Sequence, residues 1–337
     1  MAFLGTPNSF IGIDIGTSSL KIVELLRRRR RLEVATYAQA PYVNPLVAET
    51  VSKDAMKATT NLLQEMFEKA GASSDQAVVA LPAAAVFSTV ITMPNIPEAE
   101  MEKAVEFAAK DVVPANLEDM VLGYSRLGQQ PHLDIETQEQ QSKETKVPVD
   151  GNNKQAPTPV FITAAPKYVV NRYVKLIESL EMKLIALELE TFPLARSLLS
   201  EQGGPAMIVD IGDKATTFHI IDSGTPRVSH TIEFGGADIT QALSKAISKP
   251  ENVAEQLKFK HGLKKGGGEQ QQAAIQSTVR RQIKQAKQLI SVYETQNKRK
   301  VSQTVLIGGR ANLPGLADFW IQESGHKTTV GNPWRGL

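Results

Sequence analysis

Two short runs hold the residue types from which a phosphate site can be built. The first is Ile11-Gly12-Ile13-Asp14-Ile15-Gly16-Thr17-Ser18-Ser19-Leu20-Lys21. Isoleucines alternate with small or acidic residues, the period of two that marks a half-buried strand. Gly16, Thr17, Ser18 and Ser19 then supply a turn of bare backbone N–H groups and hydroxyls, and Lys21 follows on a returning strand. Such a turn can cradle phosphate oxygens, and an acid at the strand end, here Asp14, can orient the water shell of Mg²⁺. The second run, Met207 to Ile221, repeats the device with Asp210-Ile211-Gly212, a turn through Asp213 and Lys214, and Thr216 on the next strand. So long an interval between copies points to two similar domains rather than a short tandem repeat. Facing one another, the two turns would form a cleft for a Mg-nucleotide. Taken singly, each is compatible with an ordinary hairpin.

The elements that must position these turns follow from periodicity. After the first hairpin come five arginines, Arg27 to Arg31, ahead of a strand from Leu32 to Tyr37. The run reads either as a solvated tip or as a contact for anionic lipid or an acidic partner. An amphipathic helix is predicted over residues 50–70, stopped by Gly71, and a buried parallel strand over Ala77 to Leu81. A β-α-β-β unit is predicted next, over residues 82–165: a strand closed by Pro94, an acid-led helix from Pro97, a strand at Met120 to Leu127, and a return strand at Val160 to Ala165. Its tip, residues 128–159, is rich in Gln, Glu, Lys and Pro, too polar to repay ordering, and reads as a long flexible hairpin. The unit is inserted into a first domain made of residues 1–81 and 166–203. Gly203-Gly204-Pro205 is the expected hinge into a second domain, residues 204–337. That domain holds the repeated hairpin, a strand from Val228 to Phe234, and a helix opened by Gly235 and Gly236. A helix from Glu251 to Lys260 and a long polar helix over residues 273–297 come next. A buried strand, Val305 to Ile307, then turns at Gly308-Gly309-Arg310 towards a last helix.

Composition narrows the function classes. A chain of 337 residues exceeds what one core usually serves, and 42% hydrophobic with 22% charged residues is that of a globular protein. A net charge of +2 is too balanced to imply nucleic acid. The lack of cysteine excludes disulfides and thiolate-bound metals and fits the cytoplasm. No apolar run approaches the ~20 residues that span a bilayer, and no export leader is evident, so membrane association is expected to come through a partner. The five histidines lack ligand spacing, and neither a nucleophile elbow nor a Walker A lysine signature occurs.

In their order, these residues resemble the actin-like ATPase superfamily, which also holds sugar kinases and heat-shock chaperone ATPases. Asp14, Gly16, Thr17, Ser18 and Lys21 match its first phosphate motif, and Asp210, Gly212 and Thr216 its second. Glu190 lies where the chaperone branch has the acid of a connecting helix. Gly308 and Gly309 match the adenosine turn, and Glu255 and Lys258 fit a Glu-x-x-Lys element lining the adenosine side. Three stretches, Val86 to Leu127, Ala164 to Leu198 and Leu306 to Phe319, are similar to the PilM family of type IV pilus assembly, a relative of FtsA.

The resemblance implies an α/β, actin-like (ribonuclease H-like) two-domain ATPase fold with an FtsA-type inserted subdomain. It implies ATP and Mg²⁺ as cofactors, Asp14 and Asp210 at the metal, and Glu190 with Asp210 as catalytic groups. The implied nucleotide contacts are Gly16, Thr17, Ser18, Ser19, Lys21, Gly212, Lys214, Thr216, Gly235, Gly236, Glu255, Lys258, Gly308, Gly309 and Arg310. It further implies a cytoplasmic scaffold whose partner is the N-terminal tail of a PilN-like membrane protein, docked in a groove between the first domain and the insert. Inner-membrane association would then be indirect, self-association is compatible with the fold, and nucleic acid is not a partner. Weak hydrolysis of ATP and binding alone are both compatible with the resemblance. Family members usually continue into a final helix that returns to the first domain, which is expected to lack it here. Three other readings share the superfamily: a small-molecule kinase, an FtsA-like division filament protein, and the scaffold of type II secretion. The first lacks a convincing base and sugar pocket, the second a C-terminal membrane helix, and the third a transmembrane segment.

Overall fold

The computed structural model describes residues 9–16, 18–28, 31–43, 46–94, 96–127, 158–200, 203–264 and 266–336. Thr17, Arg29, Arg30 and the polar stretch 128–157 therefore lie outside the described residues. Residues 1–87 and 165–337 form one compact unit, and residues 88–164 a second.

The larger unit begins with β1 (Ser9–Ile15), β2 (Ser19–Arg28), β3 (Arg31–Pro41), α1 (Lys53–Ala70) and β4 (Gln76–Leu81). The smaller unit is built from β5 (Phe87–Met93), α2 (Glu98–Val112), β6 (Met120–Arg126) and β7 (Thr158–Pro166). The larger resumes with α3 (Lys167–Ser179), β8 (Lys183–Leu189), α4 (Thr191–Leu198), β9 (Ala206–Ile211), β10 (Thr216–Asp222) and β11 (Thr225–Ile232). It ends with α5 (Gly236–Ile247), α6 (Glu251–His261), α7 (Glu269–Asn297), β12 (Gln303–Ile307), α8 (Leu316–Ser324) and β13 (Thr328–Val330).

The larger unit contains one sheet plan used twice, with strand orders β3-β2-β1-β4-β8 and β11-β10-β9-β12-β13. In each, three strands run as an antiparallel meander and two further strands add in parallel beside the first. Alternation makes the hairpins: Ile11, Ile13 and Ile15 are buried while Gly12 and Asp14 turn outward. Asp14 pairs in register with Lys21, and Asp210 with Thr217. The helix after the first meander is fixed at both ends: Ser52 accepts the Ala55 N–H at 3.1 Å, and Gly71 closes it at φ 66°. In the second half, Ile275, Val279, Ile283, Ala286, Ile290 and Tyr293 form one buried stripe of α7 against Met207, Val209 and Phe218. Their spacing of three and four is the helical repeat. At the end of this stripe the Tyr293 hydroxyl donates to Asp222 at 2.6 Å, and Arg299 pairs with the other oxygen at 2.6 Å.

Several boundaries differ from expectation for local reasons. β11 starts at Thr225 and takes in Pro226 instead of starting at Val228. It is the outermost strand, where a missing N–H leaves no interior ladder bond unmade, and a register shift at Ile220 and Ile221 absorbs the ring. β7 reaches back to Thr158, so Thr158 and Pro159 belong to the return strand rather than to the tip. The smaller unit has the strand order β5-β7-β6, with Met93, Met101, Val105, Val160 and Ile162 as its core. Among the described residues, no helix is long and apolar enough to cross a membrane.

Candidate functional site

The two Asp-Ile-Gly turns close in the same way. Gly16 N–H donates to the Ser19 carbonyl at 3.0 Å, and Gly212 N–H to the Ala215 carbonyl at 2.9 Å. A Cβ on either glycine would press against that same carbonyl, at 3.0 Å and 2.9 Å. Asp14, at the end of β1, pairs with Lys21 Nζ at 2.7 Å across the hairpin. Asp210 Oδ1 lies against Gly308, which has φ +88° and whose Cβ would come within 2.3 Å of that oxygen. Only glycine fits there, on both counts. Glu190 joins them from the start of α4; its Oε1 accepts the Ala83 N–H at 2.8 Å.

These groups sense one another across the cleft. Burial, then the Asp210 charge, pushes the Glu190 carboxyl up from an ordinary 4.5 to about 8. Burial, then Asp14, pushes Asp210 up from 3.8 to about 6. Burial alone would lower Lys21, but Asp14 beside it, with Asp210 and Glu190 beyond, lifts its ammonium above the ordinary 10.5. Three carboxyl groups thus converge on a single ammonium, a field that attracts a further cation. Among the described residues, no three His, Cys, Asp or Glu side chains meet closely enough to ligate a metal ion directly. Hard carboxylate oxygens on Asp14 and Asp210 fit Mg²⁺ held through its waters, because Mg²⁺ sheds water reluctantly.

A second cluster adjoins the second turn. The first N–H groups of α5 are tied to that turn: Gly236 N–H donates to Gly212 at 2.9 Å and Ala237 N–H to Asp213 at 2.8 Å. Gly235 N–H donates to Asp238 Oδ2 at 2.8 Å. Lys258 is wholly buried, with Nζ 2.6 Å from Thr240 Oγ1, 3.0 Å from the Gly236 carbonyl and 2.5 Å from Glu255. Burial holds its ammonium below the ordinary value, with Glu255 pulling the other way. Burial would raise Glu255, but hydrogen bonds from Lys258 and Thr240 keep it low. Arg310 bridges the cluster, Nη2 to Asp213 at 2.6 Å and Nη1 to Glu255 at 3.0 Å, with its guanidinium 5.0 Å from the Phe259 ring centroid.

The residues singled out in the sequence thus fall into two groups. Asp14, Gly16, Lys21, Glu190, Asp210, Gly212 and Gly308 surround the cleft acids. Gly235, Gly236, Glu255, Lys258 and Arg310 form the adjoining cluster. Ser18 accepts the Tyr42 N–H at 3.1 Å, Lys214 is exposed, and Gly309 faces open space. Thr17 lies outside the described residues. The Thr216 hydroxyl is already committed, donating to the Phe234 carbonyl at 2.7 Å and accepting from Gln282 at 2.8 Å. Asp213, Thr240 and Phe259 were not among the candidates. Only Asp213 had a sequence signal, its place directly after Gly212.

Comparison with known proteins gives two findings. The family described as Type IV pilus assembly protein PilM matches residues 12–140 and 147–337. Among solved structures, the PilM-PilN type IV pilus biogenesis complex is similar at 22% identity and a TM-score of 0.76, covering 97% of this chain and 89% of that one. The ethanolamine utilization protein EutJ from Carboxydothermus hydrogenoformans is similar at 14% identity and a TM-score of 0.57, covering 97% and 85%. MreB 5 of Spiroplasma citri bound to AMPPNP is similar at 13% identity and a TM-score of 0.53, covering 97% and 92%. These likenesses show the fold, which is the α/β actin-like ATPase fold.

Proposed function

We propose a nucleotide-responsive scaffold, and the premise is that this chain belongs to the type IV pilus assembly protein PilM family. In this reading it binds ATP with Mg²⁺ between the two Asp-Ile-Gly turns. It also holds the cytoplasmic N-terminal tail of a PilN-like membrane protein, and so sits in the cytoplasm at the inner membrane through that partner. The observation that carries the nucleotide half is the convergence of Asp14, Lys21, Glu190 and Asp210 from two distant hairpins and a linking helix.

The chemistry follows from those groups. Backbone N–H groups of the two turns would bind the phosphate oxygens. Bound Mg²⁺ supplies neutralisation of phosphate charge. Asp14 and Asp210 would hold it through its waters, and Lys21 offsets the acids between them. Glu190, at about 8, carries its proton at neutral pH when the cleft is empty. Added positive charge nearby draws it towards the carboxylate, the form that can accept a proton from an attacking water. Binding energy drawn from both domains biases the conformation seen by a partner.

Calorimetry with Mg-ATP on the wild type and Asp14→Ala, with and without a PilN-like tail peptide, tests this. We expect wild-type binding, about tenfold weaker binding by the variant, and a peptide affinity that changes with nucleotide. Absence of wild-type nucleotide binding refutes the site. Equal peptide affinity with and without nucleotide refutes the coupling.

A further inference from the structure

We propose that Arg310 is a built-in stopper: in the nucleotide-free protein its guanidinium bars the nucleoside side of the cleft, and nucleotide binds by displacing it. The inference rests on the nucleotide reading above and deepens it.

The backbone fixes where this side chain starts. Arg310 N–H donates to the Ile211 carbonyl at 3.2 Å, which pins it beside the second turn. Its stem lies flat on Gly236, where a Cβ would meet Arg310 Nε, Cγ and Cδ at 2.3–2.7 Å. Its guanidinium then spans from Asp213, the residue after the turn glycine, to Glu255 on α6, stacked over Phe259. The bridge is at the mouth of the cluster: the side chains of Arg310, Asp213 and Glu255 are 20%, 26% and 32% exposed.

That span is the one a nucleotide needs. If the sugar lies against Glu255 and Lys258, as the family resemblance implies, a nucleotide whose phosphates rest on the 212–215 turn crosses between Asp213 and Glu255, which the Arg310 guanidinium bridges. Lys258 cannot be the movable group, since it is wholly buried and bonded to Thr240, Gly236 and Glu255. Arg310 is held by partly exposed ion pairs and a ring contact, interactions weak enough to exchange. The state open to nucleotide is therefore a minor one, and apparent affinity is reduced by its population. A ligand that stops at the phosphates meets only the Asp213 end of the bridge and pays less of that penalty.

The test is calorimetry on the full chain with Mg-ATP, Mg-ADP and Mg-tripolyphosphate, comparing wild type, Arg310→Ala and Arg310→Lys. Losing the stopper should tighten ATP and ADP by roughly tenfold in Arg310→Ala. Arg310→Lys, which can keep only one of the two pairs, should fall between, and tripolyphosphate should change less than about twofold. Arg310→Lys also serves if Arg310→Ala does not fold. ATP binding by the wild type that is equal or tighter than by the variants overturns the stopper and leaves the nucleotide reading standing. An equal gain for tripolyphosphate overturns it as well. If no variant and no wild type binds ATP, the nucleotide reading falls and the stopper falls with it.

Discussion

Replacing Glu190 by Gln should stabilise the nucleotide-free protein, and only at high pH. The Glu190 carboxyl is raised from 4.5 in the unfolded chain to about 8 in the folded one, first by burial and then by Asp210. Between those values the folded state binds the extra proton, so stability falls as pH rises and the loss is complete above about 8. At 1.36 kcal/mol per pH unit, the whole rise corresponds to a ceiling of about 5 kcal/mol. Glu190 is only partly buried and retains some solvent contact, which brings the expected figure to about 2 kcal/mol. Gln removes the charge and keeps an oxygen for the Ala83 N–H that Glu190 accepts at 2.8 Å. Thermal melts without nucleotide at pH 5 and pH 9 read the effect. We expect no difference near pH 5 and a gain of roughly 3 °C for Glu190→Gln at pH 9. The gain should shrink in an Asp210→Asn background, because Asp210 is the second cause of the rise. An offset that is constant with pH, or a loss at pH 9, refutes the reasoning.

Other perturbations have equally definite outcomes. Gly308→Ala forces a side chain into φ +88° and against Asp210, and should cost about 2–4 kcal/mol and nucleotide binding, whereas Gly309→Ala, with no protein atom in its way, should be silent in melts. Lys21→Met removes the ammonium shared by Asp14, Asp210 and Glu190, and should weaken Mg-ATP binding about tenfold and push the Asp210 and Glu190 titrations higher still in an NMR pH series. Tyr293→Phe deletes the 2.6 Å bond to buried Asp222 and should lower stability by about 1–2 kcal/mol in denaturant titrations, with nucleotide affinity unchanged.

What the sequence made legible was whatever is local. Alternating isoleucines and a glycine turn specify a hairpin within a dozen residues, so both hairpins and their acids could be read directly. α7 could be read because its stripe from Ile275 to Tyr293 keeps one period throughout. β13 was not legible, since three residues carry no period and the strand exists through its parallel pairing with β12. The edge position that lets β11 hold Pro226 is a property of the sheet, invisible along the chain. The Asp213–Arg310–Glu255 bridge joins three separate elements, and nothing in the residues around Arg310 announces its partners. The elevated Glu190 carboxyl likewise depends on burial and on Asp210, neither of which lies beside it in sequence.

The bonds from α7 to β10 constrain how the second hairpin can move. Gln282 grips Thr216 at one end of the strand, and Tyr293 grips Asp222 at the other. Eleven residues of helix, about 16 Å of rod, therefore splint the strand along its length. The strand behind the second turn is thus tied at both ends to one helix, so β10 and α7 move as one body.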